Sequence, residues 1–369
     1  MRFSCEKAVL NDAISVCIHA VSPKSSIPAL EGLLITAGTD VSLCGYNFKT
    51  AIQKNFDADV TESGAAVINA RIFSDIIRKL PDDIIEISVD DRLMATIKCG
   101  VSEFNIMSTS AEEYPDLPSV DSDAGVRISN SVLRDMISRT SFAISDNENK
   151  PIHTGSLFEV EDEQLTIVSV DGYRLAIRKA ECQNLRHSGF HFVVPGDTLR
   201  ELSRILPEDD EPTTICPEQK HALFQFSGTV VTTRLLEGEF LNYRGAVPAD
   251  QPIKLEIDVK AVITAVERVS LIISERLKNP VRCLFDEHGL KLSCITALGR
   301  SYDELELAPC PEPIEIGFNN RYLLDALRAV DSDICMLELK SGLSPCVLRP
   351  VEGDAFTYLV LPVRLKAGE

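Results

Sequence analysis

The residues of this chain with the richest chemistry are its six histidines and eleven cysteines. Imidazole and thiolate make metal centres or nucleophile–base pairs when their spacing brings them to one point. Here the spacing does not. No two cysteines form a C-x-x-C pair, and the histidines stand at His19, His153, His187, His191, His221 and His288. Only His187 and His191 are four apart, and Ser188-Gly189 between them spoils a shared helical face. The run Glu208-Asp209-Asp210-Glu211 offers carboxylates for a cation, but it follows Pro207 and reads as a solvated turn. The sequence holds no G-x-x-x-x-G-K-[ST] loop, no G-x-G-x-x-G after a strand and no G-x-S-x-G elbow. These spacings predict a binding protein with no metal, cofactor or catalytic centre.

The elements that would carry these residues repeat. Leu10 to Ser22 reads LNDAISVCIHAVS, Leu133 to Ser145 reads LRDMISRTSFAIS, and Val262 to Ser274 reads VITAVERVSLIIS. A second set keeps the same beat: ARIFSDIIRKLPDD from Ala70, DTLRELSRILPEDD from Asp197 and NNRYLLDALRAVDSD from Asn319. The first set begins 123 and then 129 residues apart, a period the size of a domain and far beyond a solenoid unit. Three copies follow, over 1–125, 126–252 and 253–369, joined in the Pro-rich acidic stretches DLPSVDSDAG and AVPADQP. Apolar residues at helical spacing (Leu10, Ile14, Cys17 and Ile18; Met136, Ile137 and Phe142) predict amphipathic helices. Alternating runs predict hairpins turning at Gly38-Thr39-Asp40, Glu161-Asp162-Glu163 and Glu287-His288-Gly289. Each copy reads helix, strands, helix, strands, which is an α+β fold with antiparallel sheets and paired helices.

Charge adds a second layer. The chain carries a net −19, yet its six predicted helices, their first caps left aside, hold Lys7, Arg71, Arg78, Lys79, Arg134, Arg139, Arg200, Arg204, Lys260, Arg268, Arg321 and Arg328 against only Asp12, Asp75, Asp135, Glu201, Glu267 and Asp325. A basic helical surface in an acidic body suits a phosphate backbone, and equally suits ordinary exposed helices. The start MRFSCEKAVLNDAI has no apolar core for a signal peptide, and no run is long enough to span a bilayer. Scattered, odd-numbered cysteines then predict reduced thiols in the cytoplasm, used as small apolar core residues.

Threefold repetition, VDGYRLA at Val170 to Ala176, IGFNNRYLLDAL at Ile316 to Leu327 and YLVLPVRL at Tyr358 to Leu365 together resemble the bacterial DNA polymerase III β subunit family, the sliding clamps. The match runs from Met1 to about Leu365. The resemblance implies a non-enzymatic, ring-shaped head-to-tail homodimer that encircles duplex DNA without reading its sequence. Helices would line the hole and sheets would form the outside.

It also implies a hydrophobic groove between the second and third copies that takes short peptides from the polymerase III α subunit, the clamp loader and repair polymerases. The matching wall is Val170, Gly172, Tyr173, Arg174 and Leu175, with Leu241 and Val247. Asn319, Tyr322, Leu343 and Pro345 come from the third copy, and Leu359, Val360, Leu361, Pro362, Val363 and Arg364 from the tail. DNA contacts are implied at Lys24, Arg71, Arg78, Asn147 and Lys150, and a dimer contact of Phe104 and Ile106 with Ile272 and Ile273. Tyr173 stands where the family often has His, His153 where an aliphatic residue often lies, and Gly245 where Arg is sometimes found. Asp197 replaces a frequent basic residue, and Lys366–Glu369 extends past the common end. Without the resemblance, the residues alone also allow a repeat-built scaffold that never encircles DNA.

Overall fold

The structure is a computed structural model that describes residues 1–118, 120, 125–274, 279–310 and 312–365. The extension Lys366–Glu369 and part of the first predicted join therefore lie outside the described residues. Helices occupy Lys7–Cys17 (α1), Ala70–Lys79 (α2), Asn130–Ser138 (α3), Gly196–Ile205 (α4), Tyr243–Ala246 (α5), Val259–Ser270 (α6) and Asn320–Arg328 (α7). All but the four-residue α5 fall on the two repeated segment families.

Local chemistry explains where they begin and end. Asn69, Asp258 and Asn319 cap α2, α6 and α7, their side chains accepting N–H groups of Ile72, Ala261, and Arg321 with Tyr322. The second repeat differs from the periodicity reading, which placed Phe142 on the helix. There α3 stops at Ser138, because Thr140 Oγ1 turns back to the Met136 carbonyl at 2.8 Å and Ser141 Oγ to that of Ile137 at 2.6 Å. Phe142 sits instead in a 3-10 turn, Ser141–Ala143.

The chain forms two compact units, Met1–Ser131 with Arg204–Leu235, and Val132–Ser203 with the chain from Leu236 onward. In the first, one antiparallel sheet runs Asp59–Glu62, Arg2–Glu6, Ile84–Val89, Met94–Cys99, Ser102–Met107. In the other, Gly64–Asn69, Gly32–Ala37, Val41–Tyr46 and Thr50–Phe56 continue into Thr229–Arg234, His221–Phe226 and Pro212–Pro217. The second unit repeats the plan. Phe190–Pro195, Gly155–Glu161, Gln164–Val170 and Arg174–Glu181 continue into Phe356–Val360, Cys346–Arg349, Ile334–Leu339 and Ile253–Asp258. A four-stranded sheet, Gly299–Leu305, Gly289–Thr296, Val281–Asp286, Ile314–Phe318, completes it.

The predicted hairpins form. Ala37 pairs with Val41, Glu161 with Gln164, and Asp286 with Gly289. Period-two alternation then divides side chains between two cores. Ala176, Tyr358 and Val360 join the cluster packed on α6 and α7, while Leu175, Ile177 and Leu359 join a second cluster.

Candidate functional site

The strands Arg174–Glu181 and Phe356–Val360 pair antiparallel, with Arg174 opposite Val360 and Leu175 opposite Leu359. One face of this seam gathers Val170, Leu175, Leu359 and Val347 with Leu157, Val168, Ile177, Val193 and Tyr243, and Val247 packs against them. So Val170, Leu175, Val247 and Leu359, four of the residues the resemblance named, lie in one apolar cluster. Val360 does not join them, because it pairs one residue further along and buries into the α6–α7 core. Sequence reasoning missed Ile152, Leu236 and Phe240, which pack on the same cluster. It named Leu241, which is 41% exposed while its neighbour Phe240 turns inward. Only the choice between two adjacent apolar residues was open there, and one-residue register in a segment without regular structure is not written in periodicity.

The rim is polar and ordered. Asp171 Oδ1 accepts the N–H groups of Tyr173 at 2.9 Å and Arg174 at 3.0 Å, and Gly172 between them takes φ +90°, which glycine adopts freely. Tyr173, 60% exposed, stacks on Tyr322 with centroids 5.8 Å apart. The Arg174 guanidinium lies 4.4 Å over the Tyr322 ring, bonds Asp171 Oδ2 at 2.9 Å and pairs with Asp325. The Arg174 side chain is thus already engaged by two carboxylates. Burial and the nearby Asp171 carboxylate push the Tyr322 phenol up from its ordinary value. A cavity of about 540 Å³ opens beside this rim, lined by Ile144–Asn147, Asp171, Tyr173, Arg174 and the α7 residues Arg321, Tyr322, Leu324, Asp325 and Arg328.

Beyond the strand, the tail is stitched down by backbone bonds. Leu361 N–H donates to the Tyr173 carbonyl and Val363 N–H to that of Gly317, each at 2.8 Å. Leu361, Val363 and Arg364 remain exposed and Pro362 half-buried. Leu343 is exposed, and the Pro345 carbonyl accepts Gln251 Nε2 at 2.8 Å. Asn319 caps α7 and thereby sets the position of Tyr322. His153 is half-buried against Phe240, 5.4 Å between centroids, and burial with Lys150 nearby lowers its imidazole pKa. Gly245 N–H bonds Asn242 Oδ1 in α5.

The cationic positions are less uniform than the helix count suggested. Lys24, Arg71 and Lys150 are exposed, whereas Arg78 pairs with Asp75 along its own helix. Asn147 Oδ1 accepts Asn149 N–H in a turn at the cavity mouth. Several helical cations are neutralised by acids outside the six helices, which a count within them omits: Lys7 pairs with Asp82 at 2.8 Å and Arg268 with Asp303 at 2.6 Å. Asp197 pairs with Arg200.

Phe104 and Ile106 lie on Ser102–Met107, the last strand of its sheet, and Phe104 is 39% exposed. Ile272 and Ile273 follow α6 and are half-buried. Among the described residues no cluster of His, Cys, Asp or Glu could hold a metal, and no helix is long and apolar enough to cross a membrane. The cysteines are free thiols, all buried except the half-buried Cys182. Burial pushes Cys5, Cys44 and Cys335 up to about 12, far from nucleophilic thiolates.

Three family models match consecutive stretches: the N-terminal domain of the DNA polymerase III beta subunit over residues 1–118, its central domain over 127–242 and its C-terminal domain over 244–364. The beta sliding clamp of Staphylococcus epidermidis is 30% identical over 375 residues, covering 99% of each chain, and that of Staphylococcus aureus 29% over the same span. Among solved structures, the DNA polymerase sliding clamp of Bacillus subtilis superposes with a TM-score of 0.95 at 28% identity, covering 99% of this chain and 100% of that one. The beta subunit from DNA polymerase of Streptococcus pyogenes gives 0.94 at 25%, with the same coverage.

Proposed function

The chain belongs to the DNA polymerase III beta subunit family, the beta sliding clamps, and from that premise we propose that two copies close head to tail into a ring around duplex DNA. It is a non-catalytic processivity factor. The three domains are 1–125, 126–252 and 253–369, and the protein works in the cytoplasm.

The observation that carries the closure is a pairing rule among the repeats. Thr50–Phe56 of the first copy pairs with Thr229–Arg234 of the second, and Arg174–Glu181 of the second with Phe356–Val360 of the third. Each kind of strand has one leftover. Gly299–Leu305 ends its sheet in the position of Thr50–Phe56 and Arg174–Glu181, and Ser102–Met107 ends its sheet in the position of Thr229–Arg234 and Phe356–Val360. An open edge is a template for pairing, and a chain with one edge of each kind satisfies both by meeting a second copy head to tail. Phe104 and Ile106 then meet Ile272 and Ile273 beside the new seam.

Lys24, Arg71, Arg78, Asn147 and Lys150 hold phosphates without reading bases, as sliding requires. The seam face of Val170, Leu175, Val247 and Leu359, with the tail Leu361–Arg364 and the Asn319–Tyr322 rim, receives short hydrophobic peptides of the polymerase III α subunit, the clamp loader and repair polymerases. Aliphatic walls beside ordered polar groups suit such anchors.

Loading the protein onto a nicked circle, raising salt and then cutting the circle tests the reading. Phosphate contacts weaken steeply with salt, whereas a closed ring leaves only by opening. Retention on the intact circle and release on cutting is the expected result. Equal loss from circular and linear DNA would refute encirclement, as would light scattering that shows only monomer at micromolar concentration.

A further inference from the structure

The two seams inside the chain follow one plan, and the first carries an exposed aromatic that the plan does not need. Where Asp171 organises the turn at the second seam, Asn47 does so at the first, its Oδ1 accepting N–H groups of Lys49 at 3.0 Å and Thr50 at 2.8 Å. Val170 pairs across its turn with Leu175, and Tyr46 likewise with Ala51. The residue in the place of Gly172 is then Phe48, with φ +66°. Left-handed backbone is unfavourable for an L side chain, above all a bulky one. The ring gains little shelter in return: it is 51% exposed, with Tyr46 5.5 Å away between centroids. Strain held on an exposed aromatic is a reason to look for what the ring meets.

Charge supplies the second observation. Arg234 N–H donates to the Lys49 carbonyl at 2.9 Å, and Leu235 N–H to that of Lys220 at 2.8 Å. Exposed Lys49, Lys220 and Arg234 are thus drawn to one edge with Phe48, in a chain of net charge −19. Glu218 is the acid of the same turn. Beneath them Ala29, Leu30, Tyr46, Ala51, Val67 and Tyr114 form an apolar cluster in the place that the Leu175–Leu359 cluster holds at the other seam.

We propose that this edge is a second docking surface, for an extended acidic peptide segment whose aliphatic or aromatic side chain lies on Phe48. Carboxylates answer the three cations and the anchor answers the ring. A single-stranded nucleic acid would want successive stacking platforms along a groove, and Phe48 is a single platform. The inference is independent of the groove at the second seam.

Fluorescence anisotropy on the intact protein tests it, with the groove saturated by an unlabelled Gln-Leu-Asp-Leu-Phe peptide. The probes are three labelled acidic hexapeptides with a central Leu, Phe or Trp, and lysine-flanked versions of each. At least one acidic probe should bind saturably, once per chain, with its lysine version silent. Phe48→Gly, which suits the left-handed turn and should melt like the parent protein, should weaken it by at least about tenfold, and so should Lys49→Glu with Arg234→Glu. The proposal is overturned if no acidic probe binds, if Phe48→Gly leaves affinity unchanged, or if binding appears only when the groove is empty. A Phe48-dependent site that takes oligothymidylate and no peptide would overturn it as well.

Discussion

The seam between the first and second copies and the seam between the second and third share a geometry and differ in chemistry. Each is an antiparallel ladder of five residue pairs, Thr50↔Thr233 to Lys54↔Thr229 in one and Arg174↔Val360 to Arg178↔Phe356 in the other. The ladder of the first is built of Ala51, Ile52, Val231 and buried threonines, with its Lys54 paired to Asp12 at 2.5 Å, and its cations Lys49, Lys220 and Arg234 lie exposed at the edge. The second buries a guanidinium. Arg178 reaches Asp135 and Asp331 at 2.7 Å each, while its Nε and Nη1 have no hydrogen-bond partner. Arg139 and the Tyr358 hydroxyl both donate to the Ala329 carbonyl beside it. Backbone pairing fixes how two domains join; the side chains decide what the joint tolerates. The second seam, where we propose the peptide groove, is the one whose geometry depends on charge.

The largest expected effect follows from that dependence. Removing both acids, Asp135→Ala with Asp331→Ala, strands a buried cation, which costs about 3–5 kcal/mol where such pairs are broken. Lys54→Met at the first seam leaves only an exposed carboxylate and should change stability by no more than about 0.5 kcal/mol. Hydrogen exchange of the two ladders would report each seam separately. Equal losses would break the comparison.

A smaller effect separates the two faces of the second seam. Val360→Ala opens the α6–α7 core and should destabilise by about 2 kcal/mol. Leu361→Ala, one residue on and exposed, should leave stability within about 0.5 kcal/mol yet weaken groove peptides by about 1–2 kcal/mol. Calorimetry with a peptide, alongside thermal melts, distinguishes them. Loss of peptide affinity in Val360→Ala without loss of stability would put the wall on the wrong face.

Much of this architecture was legible because it repeats. Six helices, three hairpin turns and the α+β class follow from 3.6- and 2-residue periods written three times. The resemblance grouped VDGYRLA with YLVLPVRL, and the strands that these segments carry pair with each other. Less legible was anything fixed by long-range partners. That Arg174 is spent on Asp171 and Asp325, 151 residues away, has no local signature. Nor does the choice of Phe240 over Leu241, or the neutralisation of Arg268 by a strand aspartate.

Acid should discriminate the seams next. Burial alone would raise the Asp331 pKa, but the hydrogen bond and charge of Arg178 overcome it and hold the carboxyl below its usual range. A depressed carboxylate contributes stability that is present above its unfolded pKa and lost as pH falls through the folded one. Below about pH 4 the second ladder should therefore loosen before the first, and Asp331→Asn should flatten that dependence. Exchange rates of the two ladders that rise together with acid would count against it.

The smallest effect concerns the two turns. Gly172→Ala places a Cβ that meets nothing within 4 Å, so its cost is backbone conformation alone, about 1 kcal/mol. Phe48→Gly runs the other way and gains that amount back. It loses a similar amount because glycine has more unfolded-state freedom to surrender, so the net change should stay within about 0.5 kcal/mol. Denaturant titrations of both variants give the answer. A Phe48→Gly loss well above 1 kcal/mol would mean that the ring is held by packing on Tyr46, and its exposure would then owe nothing to a partner. A near-zero change leaves the phenyl ring structurally idle at a strained position beside Lys49, Lys220 and Arg234, which is consistent with a ring kept for a partner.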